Sequence, residues 1–331
     1  MKKLLLILNL ALLFALPRTA EAQIDPHFSQ YYAFPLWLNP ALTGVMNGEL
    51  RVNANYRNQW GSISNAYNTA AVSADYRPTD QVSVGLTVLN QSAGDAGFNY
   101  FNAYGTFAYG IRVSQDGYQH INFGLQAGVI NRSFDFSKIT TGSQYDPNTG
   151  YNAGMPSFEN FQTTNKTVFD ANAGIFYYDG SPLKSANVFG GISASHLSRP
   201  KDPFAIDNNM KMPMRYVVHG GVRIRASEYL AIIPHGLYVK QQKAEEKAIG
   251  AYSQLRFPDN NEFIFGAMYR FKDAAVASAG YRFNDFVMGL SYDFNTSSLT
   301  RASQGQGGLE LSLSYMLRRR IQEPDEICPR L

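Results

Sequence analysis

Five histidines, His27, His120, His196, His219 and His235, are the residues of this 331-residue chain best suited to hold a metal or move a proton. A zinc or general-base motif would set a second His or a Cys three or four residues away, and none of the five has such a neighbour. Asp146-Pro147-Asn148-Thr149-Gly150 begins like a calcium loop. Its fifth position is Gly150 and its twelfth is Ser157, where a bidentate Glu is needed, so a turn is expected instead. No Gly-x-Ser-x-Gly elbow, phosphate loop or dinucleotide fingerprint occurs. Barrel enzymes gather catalytic groups across strands, which leaves open whether Ser193, His219 and His235 converge. The expectation is no enzyme, with no catalytic residues, cofactor or metal. Cys328 is the single cysteine, which excludes an internal disulfide and leaves an intermolecular link or an inert thiol.

These residues must be positioned by a chain that is 45% hydrophobic and 14% aromatic but only 17% charged, a composition of packed or membrane-embedded proteins. Residues 1–22 read as a signal peptide: Lys2-Lys3, an apolar run from Leu4 to Leu16, Pro17, then Ala20-Glu21-Ala22. That run is too short to span a bilayer as a helix, which takes about 20 residues. Removing it leaves 26 basic and 25 acidic residues, a net charge of +1, so a nucleic-acid partner is not expected. No later segment has 18 apolar residues in a row. An exported chain can still cross a bilayer as a closed barrel, because closure pairs every backbone N–H and C=O without a long apolar run.

Period-two alternation runs along the chain. Val82, Val84, Leu86 and Val88 alternate with Ser83, Gly85 and Thr87; Leu309, Leu311, Leu313, Tyr315 and Leu317 stand opposite Glu310, Ser312 and Ser314. Strands are expected at 49–59, 67–77, 81–90, 99–113, 118–131, 167–178, 186–197, 214–225, 229–239, 245–257, 262–271, 275–283, 285–294 and 307–317. Connections alternate in phase. The even ones are short, while the odd ones include 132–166, 198–213 and 295–306, as in an outer-membrane barrel with periplasmic turns and external loops. Parity points Arg51, Asn53, Asn55, Arg57, Asp75, Arg112, Asp170, His219, Arg223, Arg225, Glu262, Arg270, Asp293 and Glu310 into the lumen. Such a mixture of signs suggests ion pairs or a plug rather than an ion-selective pore. A soluble secreted β-sandwich also alternates, but fourteen strands in one run and aromatics such as Tyr56, Trp60, Tyr76, Tyr177, Tyr216 and Tyr315 near strand ends fit a membrane girdle better. The expected fold is an all-β transmembrane antiparallel barrel of about 14 strands, contacting membrane lipid.

The chain after residue 22 opens with Asp25-Pro26-His27-Phe28-Ser29-Gln30-Tyr31, followed by Pro35-Leu36-Trp37-Leu38-Asn39-Pro40-Ala41-Leu42-Thr43-Gly44, and ends with Cys328-Pro329-Arg330 before Leu331. The opening resembles that of the PorP/SprF family of type IX secretion system outer-membrane proteins from Bacteroidota, and the ending resembles the family's Cys-Pro-Arg tail with Leu in place of a final Phe. The resemblance implies an outer-membrane barrel component of that machinery, associated with gliding motility or protein secretion. Implied partners are peptidoglycan-associated periplasmic proteins and a cognate adhesin-like secreted protein with a C-terminal sorting domain, which the barrel would help export or attach to the surface.

Residues 23–48 carry Phe28, Tyr31, Tyr32, Phe34, Trp37 and Leu38 and are too apolar to remain in water. A periplasmic lid or plug is expected there, with Asp25, Pro26, Phe28, Gln30, Tyr31, Asn39, Pro40 and Gly44 as plug or partner-binding residues. The barrel is expected over 49–317 and a periplasmic tail over 318–331. Arg318, Arg319 and Arg320 mark the lipid interface or a docking surface, and Cys328, Pro329 and Arg330 are candidate partner-binding residues. The rival functions are a 14-stranded transporter for hydrophobic small molecules and a structural envelope barrel.

Overall fold

A computed structural model describes residues 25–61, 66–94, 96–152, 154–156, 164–202, 211–257, 261–297 and 300–317. The expected signal peptide, the three tail arginines and Cys328, Pro329 and Arg330 lie outside the described residues.

Fourteen antiparallel strands close into one barrel: β1 Leu50–Gln59, β2 Tyr67–Tyr76, β3 Val82–Ala93, β4 Phe98–Arg112, β5 Gln119–Ser133, β6 Asn165–Asp179, β7 Ala186–Ser195, β8 Arg215–Arg225, β9 Leu230–Gln241, β10 Ala244–Arg256, β11 Glu262–Arg270, β12 Ala274–Phe283, β13 Phe286–Asn295 and β14 Gln306–Leu317. Closure comes from β1, which pairs β2 on one side and β14 on the other, Leu50 opposite Leu317 and Gln59 opposite Gly308. Alternation decides which face meets lipid: Leu86 is 66% exposed and the adjacent Thr87 is 1% exposed. No helix among the described residues is long and apolar enough to cross a membrane.

All fourteen expected strands are present, with ends shifted by a few residues. β7 stops at Ser195 because His196 adopts a left-handed backbone (φ 61°), which turns the chain inward. One end of the barrel carries the short turns and the other the long loops, although the loop end also has three tight connections, at 94–97, 242–243 and 271–273. Inside the 132–166 connection, a hairpin pairs Tyr145–Asp146 with Gly150–Tyr151. Asp146 closes its turn by accepting from the backbone N–H groups of Asn148 and Thr149, as expected of a turn at this sequence.

The lumen is filled by the chain's own N-terminal segment. A 3₁₀ turn at Tyr31–Ala33, one α-helical turn at Pro35–Leu38 and a second 3₁₀ turn at Pro40–Leu42 fold it compactly. Pro35 and Pro40 each start a turn, where a missing N–H costs nothing, and the Asn39 side chain caps the last by accepting from Ala41 N–H. Gly44 lies against Ser83 at the short-turn end, whereas Asp25 lies among residues at the loop ends of β7 and β9. The segment therefore spans the height of the barrel interior rather than covering one mouth.

Candidate functional site

Half of the parity-derived lumen residues contact the N-terminal segment directly: Arg51, Arg57, Asp75, His219, Arg270, Asp293 and Glu310. Near the loop end, Ser29 and Gln30 donate their backbone N–H groups to the two oxygens of Glu310, at 2.7 and 2.9 Å, and Ser29 Oγ donates to Asp293 at 2.6 Å. Arg57 bridges Asp293 (2.8 Å) and Glu310 (3.1 Å), and Arg270 adds a second contact to Asp293 at 2.7 Å. All four charged groups are almost wholly buried, so two cations and two carboxylates neutralise one another around a single serine hydroxyl. His27 sits beside Arg57; burial, then the charges of Arg57 and Arg270, hold its imidazole well below the usual histidine range.

A second anchor lies at the start of the segment. His196 Nε2 is 2.9 Å from Asp25 and its Nδ1 is 2.8 Å from Asp170. Ionised carboxylates only accept, so both ring nitrogens donate and the ring is an imidazolium. Burial alone would lower the His196 pKa, but Asp25 and then Asp170 raise it to about 10. Burial likewise opposes ionisation of Asp25, which His196, Arg215 and Arg132 nonetheless bring down to about 2. Gln241 and Tyr100 complete the shell around Asp25.

The middle of the segment is held by packing. Phe28 and Phe34 meet edge to face at 5.4 Å, Tyr32 stacks on Tyr252 at 5.3 Å, and Leu36, Leu38 and Leu42 are buried. Each such side chain contributes about 1.5–3 kcal/mol by leaving water. Close approach of the backbone is made possible by inward-facing glycines: a Cβ on Gly124 would overlap Pro40 and Ala41, and one on Gly174 would overlap the Asn39 amide. Asn39 donates to the carbonyls of Ile175 (3.1 Å) and Ile192 (3.3 Å) and contacts His219, while Ser193 donates to Leu38 O and Tyr31 OH meets His235. Ser193, His219 and His235 thus each engage the segment instead of one another. At the short-turn end Arg51 pairs with Asp75 at 2.9 Å and donates to Leu42 O and Val45 O, and Asp75 accepts from Gly44 N–H.

Asp25, Phe28, Gln30, Tyr31, Asn39, Pro40 and Gly44 are buried along this one interior track, where Pro26 O also accepts from Trp37. Arg112 departs from its expected inward position: it ends β4 beyond the closed lumen and makes an exposed pair with Asp80 at 3.3 Å. Sequence reasoning did not single out His196 as a lumen residue, nor Ser29, whose carboxylate partners Asp293 and Glu310 are more than 260 residues away. Among the described residues no group of His, Cys, Asp or Glu could hold a metal ion. A cavity of about 110 Å³ remains between the segment and β10–β14 in the short-turn half. Tyr32, Met46, Tyr252 and Ile264 line it, and Ser278, Gly280, Gly289, Ser312 and Ser314 on the wall leave the space.

The family model for the type IX secretion system membrane protein PorP/SprF matches residues 20–315. The chain belongs to the PorP/SprF family. No curated protein matches it. Among solved structures, the Ralstonia pickettii toluene transporter TbuX is similar at a TM-score of 0.54 and 11% identity, over 86% of this chain and 93% of that one. The monoaromatic hydrocarbon channel CymD is similar at 0.50 and 11%, over 87% and 94%. At such identity the likeness shows the fold alone, an outer-membrane barrel. Family and fold together make the PorP/SprF chain an outer-membrane component of the type IX secretion system.

Proposed function

We propose that this PorP/SprF barrel is a binding and assembly component of the secretion system rather than a conduit, and that it assists export or surface attachment of a cognate adhesin-like protein carrying a C-terminal sorting domain. The observation that carries the reading is the lumen: residues 25–48 occupy it from end to end and are tied to the wall by buried charges and close backbone packing. In this reading the segment is a plug, with Asp25, Pro26, Phe28, Gln30, Tyr31, Asn39, Pro40 and Gly44 as its plug residues. A barrel of fourteen strands has no room for a folded domain even when empty. Contact with cargo then belongs to the loops at 132–166 and 198–213, and contact with peptidoglycan-associated proteins to the short-turn, periplasmic end with Cys328, Pro329 and Arg330. The test compares secreted and cell-surface proteins, by mass spectrometry, in the parent strain and in a strain lacking this gene. Loss or intracellular build-up of one or a few large sorting-domain proteins is expected; two unchanged protein sets would overturn the reading.

The cavity supports a second reading, a carrier of small apolar molecules. It is apolar and near the size that admits one aromatic ring. Uptake of apolar solutes that disappears with the gene would favour this reading over the first.

A further inference from the structure

Guanidinium groups inside the lumen face carboxylates: Arg51 meets Asp75, Arg57 meets Asp293 and Glu310, and Arg270 meets Asp293. The short-turn end of β8–β12 departs from this rule. Arg223 and Arg225 of β8, Arg256 of β10 and Arg282 of β12 share the inward parity there with Glu262 of β11, four cations to one carboxylate. Glu262 and Arg282 are buried, stand opposite each other in the β11–β12 register and lie 3.8 Å apart, which leaves three positive charges in the group. Arg225 and Arg256 both act electrostatically on Arg223, so like charges lie within reach of one another against a wall of low dielectric, where repulsion is strong. Arg223 Nη1 is moreover buried with no hydrogen-bond acceptor among the described residues. A buried cationic donor is costly in that state, so its presence calls for an acceptor that the wall itself does not supply.

We propose that Arg223, Arg225 and Arg256 bind the phosphate group of a water-borne molecule at the short-turn mouth of the lumen. Water reaches the cluster, because Arg223 and Arg225 are only half-buried and Arg256, the last residue of β10, is exposed. The side chains point into the barrel rather than towards lipid, so membrane headgroups are not their counter-ions. A planar carboxylate is satisfied by one guanidinium fork, whereas a tetrahedral phosphate accepts from several sides at once. β8 and β10 flank β9 and therefore stand about 10 Å apart, a gap that arginine side chains from both can close on one group held between them. The inward residues of β9 at this level, Ala231 and Ile233, are apolar and buried and leave the phosphate to the arginines. Arg225 uses one donor on Pro182 O at 2.7 Å and keeps the rest of its fork.

The test needs no secretion partner, so its failure is separable from failure of the proposed function. Isothermal titration on the full chain folded in detergent, in phosphate-free buffer of fixed ionic strength, compares inorganic phosphate, glycerol phosphate and chloride. Saturable binding of at least one of the two phosphates and none of chloride is expected, and the tighter of the two tells free phosphate from an ester as the source. Arg223→Gln and Arg256→Gln should each weaken that binding by about tenfold or more, the loss of one charge-assisted hydrogen bond. Arg112→Gln, which removes a cation from the same rim but outside the lumen, should bind as the unaltered protein does. Phosphate heats no different from those of chloride, or equal weakening by Arg112→Gln and Arg256→Gln, would overturn the proposal. Should Arg223→Gln not fold, Arg256→Gln decides it, because that side chain is exposed.

Discussion

The two ends of the luminal segment are held by different means. At the short-turn end Arg51 and Asp75 hold backbone groups of the segment, Leu42 O, Val45 O and Gly44 N–H, from positions 6 to 31 residues away. At the loop end the segment also contributes its own side chains, Asp25 and Ser29, whose partners His196 and Asp293 lie 171 and 264 residues away. Contacts so close in sequence can form as soon as β1 and β2 pair, whereas the distant ones require a nearly closed barrel. The loop end therefore gains its long-range anchors only once the barrel has nearly closed.

The sharpest way to break the comparison is to remove a charge at the loop end. Arg57→Ala leaves Asp293 and Glu310 buried with less compensation, and loss of one partner of such a pair costs about 3–5 kcal/mol. Urea unfolding followed by the fluorescence of Trp37 and Trp60 should show an earlier transition. An unchanged midpoint would mean the cluster is solvated and does not hold the segment.

Gly124→Ala tests the middle. The new methyl would meet the backbone of Pro40 and Ala41, which cannot rotate away, and overpacking of this kind costs about 1–3 kcal/mol. Faster backbone hydrogen exchange over 38–44 is the expected readout, with 25–30 less affected because those residues have separate anchors.

The wall was legible because lipid on one side and packed interior on the other force a period of two, and Leu86 beside Thr87 shows it at single-residue resolution. Parity also placed Arg57, Asp293 and Glu310 inside. It could not join them to Ser29, because that geometry exists only after β1 has met β14. Arg112 obeyed the alternation and still missed the lumen, since it is the last residue of its strand and water reaches it there. His196 falls inside the expected strand 186–197, but its left-handed backbone ends β7 at Ser195 and carries the side chain inward, and the close approach of the segment to Gly124 and Gly174 has no signature in the strand alternation.

A pH series sharpens the comparison by acting on one end only. The His196 pKa is raised in the fold, so its contribution is full below the ordinary value near 6.5 and is lost as pH rises towards about 10. Asp25 is shifted the other way, so its contribution is full above the ordinary value and is lost only as pH falls through about 2. Around His196 the facing groups are Asp25, Asp170, Tyr104 and Tyr100, with Arg132 and Arg215 beyond. Stability should drop by about 1 kcal/mol between pH 7 and pH 8, because the folded ring keeps a proton that the unfolded one has shed. Exchange over 25–30 should rise across that interval while exchange over 42–48 does not. His196→Gln should remove the slope.

The smallest effect is expected at Arg112, and its smallness separates lumen from rim. Its pair with Asp80 is more than half exposed on both sides, and exposed pairs contribute about 0–1 kcal/mol. Arg112→Gln should therefore leave the urea midpoint and the exchange of the whole segment unchanged, although Arg57 and Arg112 both belong to the inward parity of their strands. A loss approaching that of Arg57→Ala would place Arg112 inside the charge network after all and would extend the tightly held region down to the short-turn rim, erasing the contrast between the two ends.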